Sequence, residues 1–128
     1  MIEVLAIALG GALGAVSRYL MGESVTVWFG NDFPWGIFTI NVLGSFLIGV
    51  LFVFLVEQQS GSSAWRSFLM VGFLGAFTTF STFSLQTLAL IETGRWLTAG
   101  MYAFGSLLLC LAAVAAGVLL SRQLTGNG

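Results

Sequence analysis

Residues 72–84 read Gly-Phe-Leu-Gly-Ala-Phe-Thr-Thr-Phe-Ser-Thr-Phe-Ser and lie inside an uncharged run, 67–91, whose midpoint is Thr79. If that run crosses a membrane, the hydroxyls of Thr78, Thr79, Ser81 and Thr82 and the rings of Phe80 and Phe83 sit near the bilayer centre. Each hydroxyl can donate and accept a hydrogen bond. A phenyl ring has a negative face and a positive edge, so ring edges turned into a narrow polar path favour a small anion over a cation. Phe80 and Phe83 are three apart and share a face if that piece is helical. Gly72 and Gly75, just upstream, predict a weakened or broken helix. Irregular backbone at membrane depth survives only where it is buried in protein or lines a wet cavity. A dense hydroxyl cluster there implies that something polar passes through.

Other polar side chains fall at comparable depth. Asn41, with Thr39 beside it, is three or four residues from the middle of the run 33–56, roughly 5 Å at helical rise. A buried asparagine is either a tie between helices or a ligand donor, because its amide both donates and accepts. Its depth matches that of the Thr-Thr-Phe-Ser-Thr-Phe segment, which favours a shared site. Tyr102, Ser106 and Cys110 recur every four residues and so lie on one helical face. Either that face is a polar track, or the hydroxyl and thiol bond back to carbonyls while the phenol sits at an interface. Arg18 stands near a membrane boundary inside a glycine-rich helix, where it either draws anions to a vestibule or anchors the interface. No carboxylate lies in the middle of any run. There is no histidine, and Cys110 is the only cysteine. Histidine-based acid–base and triad chemistry, cysteine metal clusters and an internal disulfide are therefore excluded, and no nucleophile–base pair supports an enzyme.

The elements that would position these residues follow from composition. Of 128 residues, 58% are hydrophobic and 7% charged, whereas a soluble domain carries roughly 25% charged residues. A spanning helix needs about 20 mostly apolar residues. The runs 33–56, 67–91 and 96–121 qualify outright, and 2–21 qualifies if Arg18 snorkels or is paired. The expected architecture is an all-α integral membrane domain of four spans over residues 1–128, with a break in the third. Met1-Ile2-Glu3 lacks the positive charge of a signal-peptide start, so the first span is expected to be retained. The longest connection is expected at 22–32.

Four spans put both termini on one face. That face and the link 57–66 carry Glu3, Glu57, Arg66 and Arg122, and the other carries Arg18, Glu23, Asp32, Glu92 and Arg95. Orientation is set by Lys/Arg imbalance, and two arginines on each side give none. Either this signal is simply weak here, or both orientations occur and pair as an antiparallel dimer. Gly10 with Gly14, Ser45 with Gly49, Gly72 with Ala76, and Ala113 with Gly117 supply the small-residue faces that membrane helices need for close contact. Four short helices can hardly enclose a pore alone, and a homodimer is the simplest remedy.

Three segments together resemble the small fluoride channel family, Fluc or CrcB: Gly10-Gly11-Ala12-Leu13-Gly14-Ala15-Val16-Ser17-Arg18-Tyr19, Asn41-Val42-Leu43-Gly44-Ser45-Phe46-Leu47-Ile48-Gly49, and 72–84. The last is highly specific; the fourth span matches mainly by length, Tyr102 and Ser106. The resemblance implies a fluoride-selective channel of the bacterial cytoplasmic membrane, built as a dual-topology antiparallel homodimer with two pores. It implies that Phe80 and Phe83 are the pore phenylalanines, with Asn41 the donor near them. Tyr102 and Ser106 would line the polar track, with Ser81 and Thr82 nearby, and Arg18 would be the vestibule arginine. It further implies that backbone carbonyls of Gly75 and Thr78 from both chains hold a structural sodium ion at the dimer axis, as carbonyl oxygens suit a hard cation. Ala76 stands where many members have glycine, and Gln86 where some have glutamate, so a charged track residue at 86 is not expected. A drug exporter of similar size would need an intramembrane acid. A non-transporting subunit would leave the central hydroxyls and Asn41 without a purpose.

Overall fold

The computed structural model describes residues 1–126, and among them every regular element is helical. Helix α1 is Ile2–Phe29, and α2 is Trp35–Glu57, whose last turns from Phe52 widen to π-type. Helix α3 covers 63–77 and is π-type through Ser67–Leu74. Helix α4 is Phe80–Glu92 and α5 is Trp96–Thr125. The stretches Ile2–Phe29, Trp35–Glu57, Ser63–Glu92 and Trp96–Thr125 are each long and apolar enough to cross a membrane. The third is α3 and α4 in series, so the expected interrupted span is present.

Helix ends follow local chemistry. The Ser62 side chain accepts from the Trp65 N–H at 3.4 Å to start α3, as a helix cap should. Gly30 (φ 83°) and Gly126 (φ 73°) close α1 and α5 in the left-handed region that glycine tolerates. Helix α1 runs well past residue 21, and the expected long connection at 22–32 shrinks to residues 30–34. Within that stretch the hydroxyls of Ser24 and Thr26 bond back to the Leu20 and Gly22 carbonyls at 2.8 Å each and are thereby accommodated on the helix.

Two backbone-to-backbone contacts set the layout. Helix α1 packs on α3, where a Cβ on Gly72 would lie 2.7 Å from the Ile7 carbonyl and one on Gly14 would collide with the Phe73 carbonyl. Helix α2 packs on α5 through a reciprocal pair: Gly49 meets the Val114 carbonyl and Gly117 meets the Phe46 carbonyl. In lipid this close van der Waals fit, rather than expulsion of water, holds helices together. Ile40, Leu74 and Phe77 form one buried cluster, and Leu90, Ala99 and Tyr102 form another. At one end Arg122 and Glu57 pair across the last turns of α5 and α2. At the other, the Arg95 guanidinium donates to the Asp32 carbonyl and ties the 30–34 loop to the α4–α5 turn.

The break falls at Thr78 and Thr79, just after the glycines that predicted it. Gly72 and Gly75 are both helical, and the chain leaves the helix at Thr78 and Thr79. Gly72 serves close approach to α1 instead. Gly14→Ala is therefore expected to lower the thermal midpoint in detergent, with overpacking costing about 1–3 kcal/mol. Gly100→Ala, where a Cβ meets nothing within 4 Å, is expected to hold or raise the midpoint, with a stability gain of up to about 1 kcal/mol.

Candidate functional site

At the break Thr78 (φ −83°, ψ 157°) and Thr79 (φ −152°, ψ 122°) are extended. A continuous helix would send the Thr79 N–H to the Gly75 carbonyl. Here it donates to Asn41 Oδ1 at 2.9 Å, and Asn41 Nδ2 donates to the Thr79 carbonyl at 3.0 Å. One amide from α2 thus satisfies both backbone groups of a residue that is only 8% exposed. Of the two readings open for Asn41, the tie between helices is realised, and its second amide N–H remains a donor.

The hydroxyls serve the same interruption. Thr79 Oγ1 accepts from the Thr82 N–H at 3.3 Å, capping α4. It also donates to Thr82 Oγ1 at 3.1 Å and lies 3.4 Å from Ser81 Oγ. Thr78 Oγ1 donates back to the Leu74 carbonyl at 2.9 Å. The cluster that implied a polar passenger is thus largely spent on stabilising the break, with Ser81 left at the exposed edge.

Restarting the helix at Phe80 aims the rings. Phe80 and Phe83 have centroids 5.5 Å apart, yet Phe80 is 78% exposed while Phe83 packs at 5.1 Å on Tyr102. Tyr102 is fully buried and donates its hydroxyl to Gln86 Oε1 at 2.7 Å. A phenol has one proton, so Tyr102 has no further donor, and the free donors at this level are the Gln86 amide N–H groups. The sequence reading placed Tyr102 on a polar track and Gln86 as a departure from the family; their separation of 16 residues carries no periodic signal.

One turn further along α5, Ser106 is 5% exposed, and among the described residues its Oγ has no hydrogen-bond partner. Leaving a buried hydroxyl unpaired costs about 1–3 kcal/mol. It borders a groove of about 540 Å³ lined also by Asn41, Thr78, Thr79, Phe80 and Phe83. Gly75 and the half-buried Cys110 also line it. The structure therefore gathers Asn41, Phe80, Phe83, Ser106, Gly75 and Thr78 around one concavity. Tyr102 stands behind Phe83 rather than on the wall. Ser81, Thr82 and Arg18 are also off it; Arg18 is half-buried on α1 and, among the described residues, forms no ion pair. Among the described residues no cluster of three His, Cys, Asp or Glu side chains could hold a metal. An apolar wall with a few convergent polar groups has the composition of a binding site.

The family model described as CrcB-like protein, Camphor Resistance (CrcB), matches residues 5–118. This chain belongs to the CrcB family. A Hahella chejuensis protein named fluoride-specific ion channel FluC is 53% identical over 116 residues, covering 91% of each chain. A Magnetococcus marinus protein of the same name is 46% identical over 116 residues, covering 91% of this chain and 94% of its own. A Methylococcus capsulatus protein so named is 49% identical over 123 residues, covering 96% of this chain but 54% of its own. These relatives of the CrcB chain are thus named as ion channels rather than enzymes, and four apolar spans make it a multi-pass membrane protein.

In this CrcB protein Asn41→Leu deletes both bonds to Thr79 and leaves its N–H and carbonyl unpaired, at about 1–3 kcal/mol each. Hydrogen exchange at Thr79–Thr82 is expected to accelerate in that variant. Unchanged protection would show that the amide does not hold the break.

Proposed function

We propose that this protein is a fluoride-selective channel that passively exports fluoride across the bacterial cytoplasmic membrane. The observation that carries this reading is the buried, unpartnered Ser106 hydroxyl on a groove edged by Phe80 and Phe83. It is a hydroxyl free to donate, on a groove that two phenyl rings also line, and the edges of such rings carry positive potential. Relatives named for fluoride conduction agree with it. Hydrogen fluoride is a weak acid that crosses lipid uncharged and dissociates inside. An inside-negative potential then drives the anion out through any selective path. Fluoride gives up water reluctantly, so its path must offer close replacements: Ser106, the spare Asn41 N–H, the Gln86 amide and the phenyl edges.

The functional unit in this proposal is an antiparallel homodimer with two pores. Three features support it. Phe80 is 78% exposed beside the groove, the groove is only partly enclosed, and the arginines are split evenly between faces. A structural sodium at the dimer axis fits the donors of this chain. The Gly75 carbonyl is released from Thr79 by Asn41, and Gly75 and Thr78 both border the groove. One chain offers two such carbonyls and a second copy doubles them, an all-oxygen set that suits a hard cation. A proton-coupled drug exporter is disfavoured, since Glu57 is paired with Arg122 and no carboxylate lies mid-span.

The test is fluoride efflux from liposomes holding purified protein, with valinomycin and a potassium gradient, and chloride followed in parallel. Fluoride release without chloride release is expected; silence towards fluoride from a folded dimer would refute the reading. Phe80→Ile and Phe83→Ile are each expected to slow fluoride at least about tenfold, some 1.4 kcal/mol in barrier, with the dimer still eluting intact.

A further inference from the structure

We propose that the groove between the starts of α1 and α3 is a site for a zwitterionic membrane phospholipid, with one acyl chain in the groove and the phosphate and ammonium of its head on Arg66 and Glu3. This goes beyond the channel reading and does not depend on it. The groove holds about 300 Å³ and is lined by Ile2, Leu5 and Leu9 of α1 and by Trp65 and Phe68 of α3. Ala6 and Ala64 also border it, and their methyl groups fill little of it. Its one polar side chain is Ser62, whose hydroxyl already accepts from the Trp65 N–H. Farther along, α1 and α3 touch backbone to backbone. A Cβ on Gly10 would collide with the Phe68 carbonyl, and one on Gly72 would lie 2.7 Å from the Ile7 carbonyl. The groove is the space left on the near side of that contact, where neither helix has a glycine to let them close.

Both helices belong to apolar spans, and Ile2, Leu5, Leu9 and Trp65 are all exposed, so this surface meets lipid. From Ile2 to Leu9 the groove descends about 10 Å at helical rise, from the helix ends into hydrocarbon. An aliphatic chain is the matching occupant. The lining offers almost no hydrogen bonds, and its atoms gain dispersion contacts only if something fills the space. Trp65, edge-to-face with Phe68 at 5.7 Å, stands at the start of its span, where indoles gather at the membrane–water boundary. Charge specifies the head. Glu57 and Arg122 lie at this end too but pair with each other. Glu3 and Arg66 are exposed, and among the described residues neither forms an ion pair. Glu3 follows Ile2 on α1 and Arg66 follows Trp65 on α3, so an acid and a base flank the mouth. Clusters of several basic residues mark sites for anionic lipids. One base with one acid instead complements a head that carries both charges. The guanidinium suits the phosphate, and the carboxylate accepts from a primary ammonium.

The experiment follows the thermal midpoint of the purified protein in detergent as phosphatidylethanolamine, or phosphatidylglycerol with the same acyl chains, is added. A ligand that binds only the folded state raises the midpoint by mass action. Phosphatidylethanolamine is expected to raise it at least about 3 °C more than phosphatidylglycerol does. Ala6→Leu, which fills the groove, is expected to cut that rise by at least about half. Should Ala6→Leu fail to fold, Ala64→Leu takes its place. Arg66→Gln is expected to lower the response to both lipids, and Glu3→Gln to bring the two responses within about 1 °C of each other. No response to either lipid, or equal responses in the wild type, overturns the proposal. A full phosphatidylethanolamine response in the groove-filled variant or in Arg66→Gln overturns it as well. None of these outcomes bears on fluoride efflux, so the channel reading stands or falls separately.

Discussion

A helix cannot be interrupted in hydrocarbon unless the freed backbone groups find partners inside the protein. Here one side chain meets that demand: Asn41 takes the N–H of Thr79 and returns a donor to its carbonyl. The neighbouring features are arranged around this exchange. Gly44 leaves room for the Thr78 methyl, since a Cβ there would collide with it. The Thr79 hydroxyl restarts the chain as α4. The angle of that restart points Phe80 outward and Phe83 onto Tyr102. Without the amide, a straight third span would carry both rings elsewhere and close the groove.

The amide can act only if α2 is held at a fixed height. Gly49 and Gly117 press α2 and α5 together at backbone distance, which fixes Asn41 relative to Ser106, its neighbour in the groove lining. Gly10, Gly14 and Gly72 do the same for α1 and α3, holding the segment that leads into the break. Lipid offers no reward for burying leucine, so the outer surface is a coat of exposed aliphatic side chains, and registry is carried by the glycines.

The fold class was legible because length and charge depletion leave few alternatives: an uncharged run of twenty-odd residues has one use. Family membership was legible in residues 72–84. The residues that leave the helix were not. A glycine in a membrane helix permits either irregular backbone or close approach, and only its neighbours tell which; Gly72 turned out to face Ile7. The central threonines could cap a helix end or meet a passenger, and sequence alone does not choose. The depth match between Asn41 and Thr79 was readable, but a side chain bonding to a distant backbone leaves no pattern. The Arg95 tie to the Asp32 carbonyl is of the same kind, and the Tyr102–Gln86 bond, between two side chains, leaves no pattern either. The extra turns of α1 were not legible because residues 22–29 are more polar than the span before them, and the sequence does not show that the Ser24 and Thr26 hydroxyls fold back on the helix.

Helices α1 and α5, at 28 and 30 residues, are some 42 and 45 Å long at helical rise. The hydrocarbon layer is about 30 Å thick. Unbroken rods of that length meet the mismatch by leaning or by projecting into the headgroups. The third span is jointed at Thr78–Thr79 and need not lean as one piece. Any tilt of α5 is shared by α2 through Gly49 and Gly117, and so reaches the Asn41–Thr79 clamp as a shear between a rigid pair and a hinged one. Bilayer thickness therefore bears mechanically on the one point where the backbone is interrupted.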